Sequence, residues 1–125
     1  MAVIYPTYPE SDAEIIQVLW EALGASDTGL PVKLVKYSGK SSQIFGTFDT
    51  TTITLQGSND PRANPENVNH ASAVWFSLTD PQGNAIAKTA AAGEEILENP
   101  MWIRPISSGG AGTDIDVSIV AKRNI

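Results

Sequence analysis

Four kinds of residue in this chain could do chemistry by type and spacing. They are a lone histidine, His70; the close carboxylates Asp12/Glu14, Glu94/Glu95/Glu98 and Asp114/Asp116; the run Gly109-Gly110-Ala111-Gly112-Thr113; and the tryptophans Trp20, Trp75 and Trp102. A zinc site or an acid–base relay around His70 needs partners, and the chain has neither a cysteine nor a second histidine. His70 is therefore read as a solvent-exposed side chain of a polar loop. A glycosidase would need two carboxylates from different strands across a cleft, which spacing along one chain does not reveal. Asp114 and Asp116 fall on one face of a strand and could in principle help hold Ca²⁺, but solvated carboxylates on a wet face are the ordinary case. The glycine run lacks a phosphate-binding lysine and precedes a strand, so it is expected to be a hairpin loop. No catalytic, cofactor-binding or metal-ligating residue is assigned, and the chain is expected not to be an enzyme. Aromatics on the polar face of a sheet make sugar platforms or subunit contacts, although most tryptophans are core or lid residues. Trp75 and Trp102 are kept as contact candidates.

The elements that position these residues read as strands. In 98–122, Ile115, Val117 and Ile119 alternate with Asp114, Asp116 and Ser118, the period of a strand with one buried face. Trp102–Ile106 is a second apolar run, and the small residues between predict an antiparallel hairpin. Met1–Pro9, with Tyr5, Pro6, Tyr8 and Pro9, is too proline-rich for a helix or a central strand. It reads as a frayed terminus or, more usefully, as an extended arm over residues 1–10 with two aromatic anchors. Ser11–Gly24 supports a capped helix through Ser11 and Glu14, and a strand through the alternation of Ile16, Val18 and Trp20. Strand is preferred for Ile15–Glu21, because its neighbours are strand-like.

Leu30–Tyr37, Ser41–Phe48, Thr51–Gln56 and Ala73–Thr79 follow as strands, with Gly46 marking a bulge or a close backbone approach. Ala85–Thr89 and Gly93–Leu97 are weaker runs suited to edges. Asp80-Pro81-Gln82-Gly83 matches a type I turn. Residues 58–72 form a long polar loop whose only large apolar residue is Val68, and a loop of that length usually carries function. The sum is an all-β chain, an antiparallel β-sandwich of roughly eight short strands in one domain over 11–125, with a jelly roll as one form it could take.

Composition sets outer limits. The 125 residues suit one domain, and the absence of cysteine removes disulfides and thiolate chemistry. Eight basic against fourteen acidic side chains leave a net charge of −6. That balance opposes binding to nucleic acid or to an anionic membrane. The opening residues lack a basic, apolar signal segment, so synthesis and folding are expected in a cytoplasm.

Taken in order, several motifs resemble a known group. They are Trp20-Glu21-Ala22-Leu23, Asp27-Thr28-Gly29-Leu30-Pro31-Val32, Gly46-Thr47-Phe48, Gln56-Gly57-Ser58-Asn59-Asp60, and Trp75-Phe76-Ser77-Leu78-Thr79 with its following turn. Glu98-Asn99-Pro100-Met101-Trp102-Ile103-Arg104-Pro105 and the Gly109–Asp114 loop complete the set. Together, from about Trp20 to Ala121, they resemble the small head decoration, or capsid cement, proteins of tailed bacteriophages. In that pattern a short turn joins the Gly-Ser-Asn-Asp segment to the Trp strand, whereas Pro61–Ser72 lengthens it here. The order Gly-Ser-Asn-Asp…Trp is also similar, more weakly, to discoidin-like carbohydrate-binding domains.

The resemblance implies a structural virion protein on the outer capsid surface that bridges major capsid protein subunits. Exposed edge strands and an apolar arm invite self-pairing, so the free form is expected to be a small homo-oligomer, a dimer or trimer. The resemblance implies no cofactor. The contact residues expected are Tyr5, Pro6, Tyr8, Arg62, Asn64, Asn67, Trp75 and Trp102. A carbohydrate-binding β-sandwich module and a tail or fibre component are the alternatives.

Overall fold

The computed structural model describes residues 2–123. In chain order the strands are β1 (Val3–Ile4), β2 (Thr7–Ser11), β3 (Ile15–Leu23), β4 (Thr28–Gly29), β5 (Gly39–Thr47) and β6 (Thr52–Ser58). Then come β7 (Phe76–Ser77), β8 (Ala87–Lys88), β9 (Ala92–Glu95), β10 (Trp102–Ser108) and β11 (Asp114–Lys122). They make two sheets packed face to face. The first has the order β1-β4-β10-β6-β7, with β8 also on β6, and the second has the order β2-β3-β11-β5-β9. Pairing is antiparallel except for β1 with β4. The chain is therefore the all-β sandwich that its alternating patterns predict. Among the described residues no helix is long and apolar enough to cross a membrane.

The core is the set of inward positions of both sheets. Val18, Trp20, Ile44, Val117 and Ile119 from one sheet meet Ile53, Leu55 and Ile103 from the other, all closed to solvent. Ile15–Glu21 is strand, as expected. The strong β pattern of its apolar residues outweighs the helix-cap signal because each alternate side chain finds a core to fill. Asp12, not Ser11, shapes the turn before it, its Oδ1 accepting from the amides of Glu14 (2.8 Å) and Ile15 (2.7 Å).

Three expectations need correction. Trp102–Ile106 and Asp114–Lys122 do not form a hairpin. β10 pairs with β6 and β4 in one sheet, β11 lies between β3 and β5 in the other, and the glycine run crosses between the layers. Alternation says only that each strand has one buried face, and two strands facing each other across a core satisfy it as well as two neighbours. Leu30–Tyr37 is likewise a crossover, not a strand: its backbone meets the first sheet through Leu30 N, which donates to Ile4 O (2.8 Å), and through the bridge of Val32 to Ile103. Its Val32, Leu34 and Tyr37 are buried, so its apolar content reflects packing rather than pairing. Ala73–Thr79 is strand only at Phe76–Ser77, and of Val74, Phe76 and Leu78, which alternation puts on one face opposite Trp75, only Leu78 is in the core.

The N-terminal segment is extended but paired. β1 lies along β4 and β2 along β3, so residues 3–11 edge both sheets, and Met1 lies outside the described residues.

Three of the sheet-to-sheet crossings, Gly24–Asp27, Phe48–Thr51 and Gly109–Thr113, meet at one end. There Asp27 Oδ2 accepts from Gly24 N (2.6 Å), and Ser107 Oγ accepts from Asp27 N (2.8 Å) while donating to Gly24 O (2.7 Å). The amides of Ala111 (3.0 Å) and Gly112 (2.6 Å) close on Asp49 Oδ2, which holds that carboxyl below its ordinary range. Thr51, fully buried, donates to Gly109 O (2.8 Å) and shares a short hydrogen bond with Thr113 Oγ1. Gly110 sits against this knot at φ 81°, where a Cβ would lie 2.1 Å from Thr51 Oγ1 and 2.5 Å from Asp49 O. Gly46, at φ 132°, is a true close approach: a Cβ there would lie 2.3 Å from Asp114 O.

Gly110→Ala should therefore lose about 2–4 kcal/mol of stability, from the left-handed backbone and the clash together. Gly83→Ala, at φ 88° with nothing within 4 Å of the new methyl, should lose only about 1–2 kcal/mol. Urea unfolding of the two variants checks the difference.

Candidate interaction surface

The opposite end of the sandwich carries the long polar loop, and that loop is built rather than slack. Asp60 organises it. Its carboxylate accepts from Arg62 N (2.9 Å), Arg62 Nη2 (2.8 Å) and Val74 N (3.0 Å), closing both ends of the loop on one group. Bonding from the Arg62 side chain, then from the Arg62 and Val74 amides, holds the Asp60 carboxyl far below the usual carboxylate range. Single turns of 3₁₀ helix follow at Pro61–Ala63 and His70–Ser72. Asn64 Oδ1 accepts from Glu66 N (3.0 Å) and Asn67 Oδ1 from Asn69 N (2.8 Å), each asparagine folding the chain back on itself. His70 is half-buried, not solvent-exposed, with Nδ1 3.0 Å from the Arg62 carbonyl. Its position inside the loop's own fold explains the difference.

Of the expected contact residues in the loop, Arg62, Asn64 and Asn67 thus direct polar groups into the loop itself. What the loop offers outward is Val68, 96% exposed. Beside its base, Val74 (67% exposed), Phe76 (41%) and Met101 are also open to solvent. Ser58 Oγ donates to Val74 O (2.6 Å) and Asn59 Oδ1 accepts from Met101 N (2.9 Å), which draws these three residues to the same end. Large apolar side chains held in solvent on a tied scaffold make this end the candidate contact surface. Val68 was legible as the only large apolar residue of the loop; Val74, Phe76 and Met101 were not, because their alternation also suits a buried strand face.

The tryptophans divide. Trp20 is core, its Nε1 donating to Leu30 O (3.0 Å) and so tying down the first long crossover. Trp75 and Trp102 are half-buried toward the outside of the first sheet. Arg104 lies over the Trp75 ring at 4.0 Å from its centre, and its Nε donates to Gln56 Oε1 (2.9 Å). Trp102 is two residues from Arg104 on β10, on the same face. Arg104 and Gln56 went unnoticed in the sequence because outward polar residues of a strand look alike until a neighbour stacks on one. Tyr5 (72% exposed) and Tyr8 (51%) flank Pro6 at the far edge. The structure does not bring them to the Val68 end.

The carboxylates are occupied singly. Asp116 Oδ1 accepts from Ala22 N (3.0 Å) at the irregularity between β3 and β11. Glu98 holds the Thr79 amide (2.8 Å) and hydroxyl, and Glu94 pairs with Lys88 (2.5 Å). Among the described residues no three His, Asp or Glu gather as a metal site would need.

Under the surface, Lys40 is the unusual group: a lysine only 2% exposed with, among the described residues, no carboxylate in ion-pair contact. Its Nζ donates to Tyr37 O (2.8 Å) and to Asn99 Oδ1, while Asn99 Nδ2 donates to Val35 O (2.8 Å). This chain of bonds fastens the Leu30–Ser38 crossover to the Ile96–Met101 segment leading into β10. Burial holds the Lys40 ammonium below the usual lysine range.

In comparisons with known proteins, no family and no curated sequence matches the chain. Solved structures do. The SPBc2 prophage-derived protein YomS superposes with a TM-score of 0.53 at 9% identity, over 90% of this chain and 97% of that one. KdgF from a Halomonas species gives 0.41 at 5% identity, over 95% and 78%. A cupin domain from Bordetella pertussis Tohama I gives 0.34 at 15% identity, over 94% and 91%. At 9% identity the likeness to YomS is one of fold alone.

Lys40→Met should cost about 1–3 kcal/mol, since Tyr37 O and Asn99 lose their donor. A lysine pKa lowered by folding means that the unfolded chain binds more protons, so the parent gains stability as pH rises toward the ordinary lysine value. The gap between parent and variant should accordingly widen from neutral pH to about pH 10, as read by chemical unfolding across that range. Asp60→Ala should abolish hydrogen-exchange protection at the Arg62 and Val74 amides while core amides keep theirs.

Proposed function

We propose that this chain is a structural protein of a phage particle, a decoration or cement protein that binds the outside of the capsid and bridges major capsid subunits. The observation that carries the reading is Val68, held almost wholly in solvent by a loop with its own hydrogen-bond framework, beside exposed Val74, Phe76 and Met101. Such an arrangement contributes nothing to folding and becomes useful on contact, where a pre-ordered loop loses little entropy. The fold shared almost end to end with a prophage-derived protein supports a phage setting. A net charge of −6 keeps copies apart before assembly and steers them to basic patches on a shell. Many modest contacts then favour the assembled state over its parts. In this reading the protein makes and breaks no bonds, needs no cofactor, and engages neither nucleic acid nor membrane. It is a small homo-oligomer when free, and the Tyr5/Tyr8 edge is a secondary contact.

A second reading, a carbohydrate-binding module, is favoured by one observation: the Trp75 ring with Arg104 and Gln56 gathered on an outward sheet face. A tail or fibre component would use the same adhesive end in another place.

Cryo-EM and mass spectrometry of purified particles are expected to find the chain at regular sites on the head exterior. Val68→Asp combined with Phe76→Ser should leave thermal unfolding nearly unchanged and reduce occupancy by about tenfold or more. Tyr5 and Tyr8 are best tested as Ser replacements, since deleting residues 1–9 would strip a strand from each sheet. Particles without the chain, or equal occupancy by the double variant, would overturn the reading. Glycan binding lost on Trp75→Ala would favour the second.

A further inference from the structure

The homo-oligomer in that reading, though not its capsid role, is what the following rests on: the four sheet edges of the described chain are not alike. Exposed edges invite pairing with other strands, and proteins blunt them with proline, bulges, lysine or extreme shortness. β2 has Pro9 and an irregular register against β3. β1 is two residues long and runs into Pro6. The far edge of the first sheet is split between β7 and β8, each of two residues, and β8 ends on Lys88. β9 has none of these guards. It pairs with β5 without a break in register, contains no proline or lysine, and follows the exposed Ala90 and Ala91.

Its hydrogen-bond phase is set by the Ile96 amide, which donates to Lys40 O (3.0 Å). In an antiparallel ladder every second residue then faces its partner, so Ala92 and Glu94 point their backbone groups at β5. Gly93 and Glu95 point theirs away from the sheet, and the same alternation extended one residue ahead of β9 would add Ala91. On the outer face these three offer a methyl, a hydrogen and one carboxylate, and Glu95 shares a shallow hollow with Lys122. Glu94 is turned inward to Lys88 (2.5 Å).

We propose that β9 is a self-pairing edge: two copies join β9 to β9 antiparallel about a two-fold axis at Gly93, merging their five-stranded sheets into one. The register that this axis imposes is self-complementary. Gly93 faces Gly93 of the second copy, and Ala91 faces Glu95, so every outward amide and carbonyl of the three residues meets a partner. No carboxylate is set opposite another. An acidic edge would suit a basic strand from a different protein, and charge separates the two cases. Self-pairing of chains carrying −6 each strengthens with salt, whereas capture of a basic strand weakens. The contact is small compared with the roughly 1,200 Å² of stable interfaces, so a dissociation constant on the order of 0.1 mM is expected.

The absence of cysteine makes the register directly testable. A hydrogen-bonded antiparallel pair has Cα atoms about 5.5 Å apart, within disulfide reach. A Cβ at Gly93 meets only ordinary contact, 3.6 Å from Ser42 O. Under mild oxidant, Gly93→Cys should form a disulfide dimer at least about tenfold faster than Gln82→Cys on the exposed turn. Sedimentation of the unmodified chain up to about 1 mM should show a monomer–dimer equilibrium that tightens with salt. Ala91→Glu, which sets a carboxylate against Glu95 of the second copy, should weaken it severalfold with unchanged thermal unfolding. A chain that stays monomeric throughout, association that weakens with salt, or equal cross-linking rates at the two cysteines would overturn the proposal.

Discussion

The constraint on which the rest of the structure depends is the repeated passage of the chain from one sheet to the other. Each passage leaves backbone amides and carbonyls without ladder partners at a corner built around the buried Thr51 and Ser107, where an unmet polar group is costly. Side chains resolve this. Asp27 and Ser107 satisfy the first corner, and Asp49, Thr51 and Thr113 satisfy the second and third together. Gly110 is the residue that lets the last two approach closely enough. With these corners tied, β6, β10, β5 and β11 start in register, and the inward faces of the two layers meet with Trp20 among them.

That constraint divides the molecule into two ends of different character. The corner end is internally bonded, with Phe48 half-buried beside it and Phe45 open to solvent two residues before β5 ends. The other end carries the longest connections, which are held by a different device: a carboxylate, Asp60, that closes the Asn59–Trp75 loop, and an ammonium, Lys40, that bonds two crossovers through neutral acceptors. Both leave backbone groups satisfied and apolar side chains outside.

Burying Lys40 without a carboxylate is the least economical choice in this design, because a desolvated charge is unfavourable unless well bonded. It is tolerated because no apolar side chain could reach both Tyr37 O and Asn99. The segments it joins set the position of β5 and the entry to β10, so a loss there would be felt in both layers.

Alternation of apolar and polar residues was enough to place the long strands β3, β5, β6, β10 and β11 and the two-layer architecture, but it misread Leu30–Tyr37, a crossover, and Ala73–Thr79, where Val74 and Phe76 face solvent. Gly46, the Asp80–Gly83 turn and the exposed Val68 could also be read directly, since each depends on local chemistry. What the tertiary structure alone decided is which strands are neighbours. A strand's pattern records that one face is dry, not whether the residue opposite is beside it in a ladder or across the core. The segment 98–122 therefore looked like a hairpin and is instead a crossing between layers. The pairing of Arg104 with Trp75, the burial of Lys40 and the outward turn of Phe76 were hidden for the same reason: each is set by contacts between segments far apart in the chain, and those contacts exist only once the two sheets have closed.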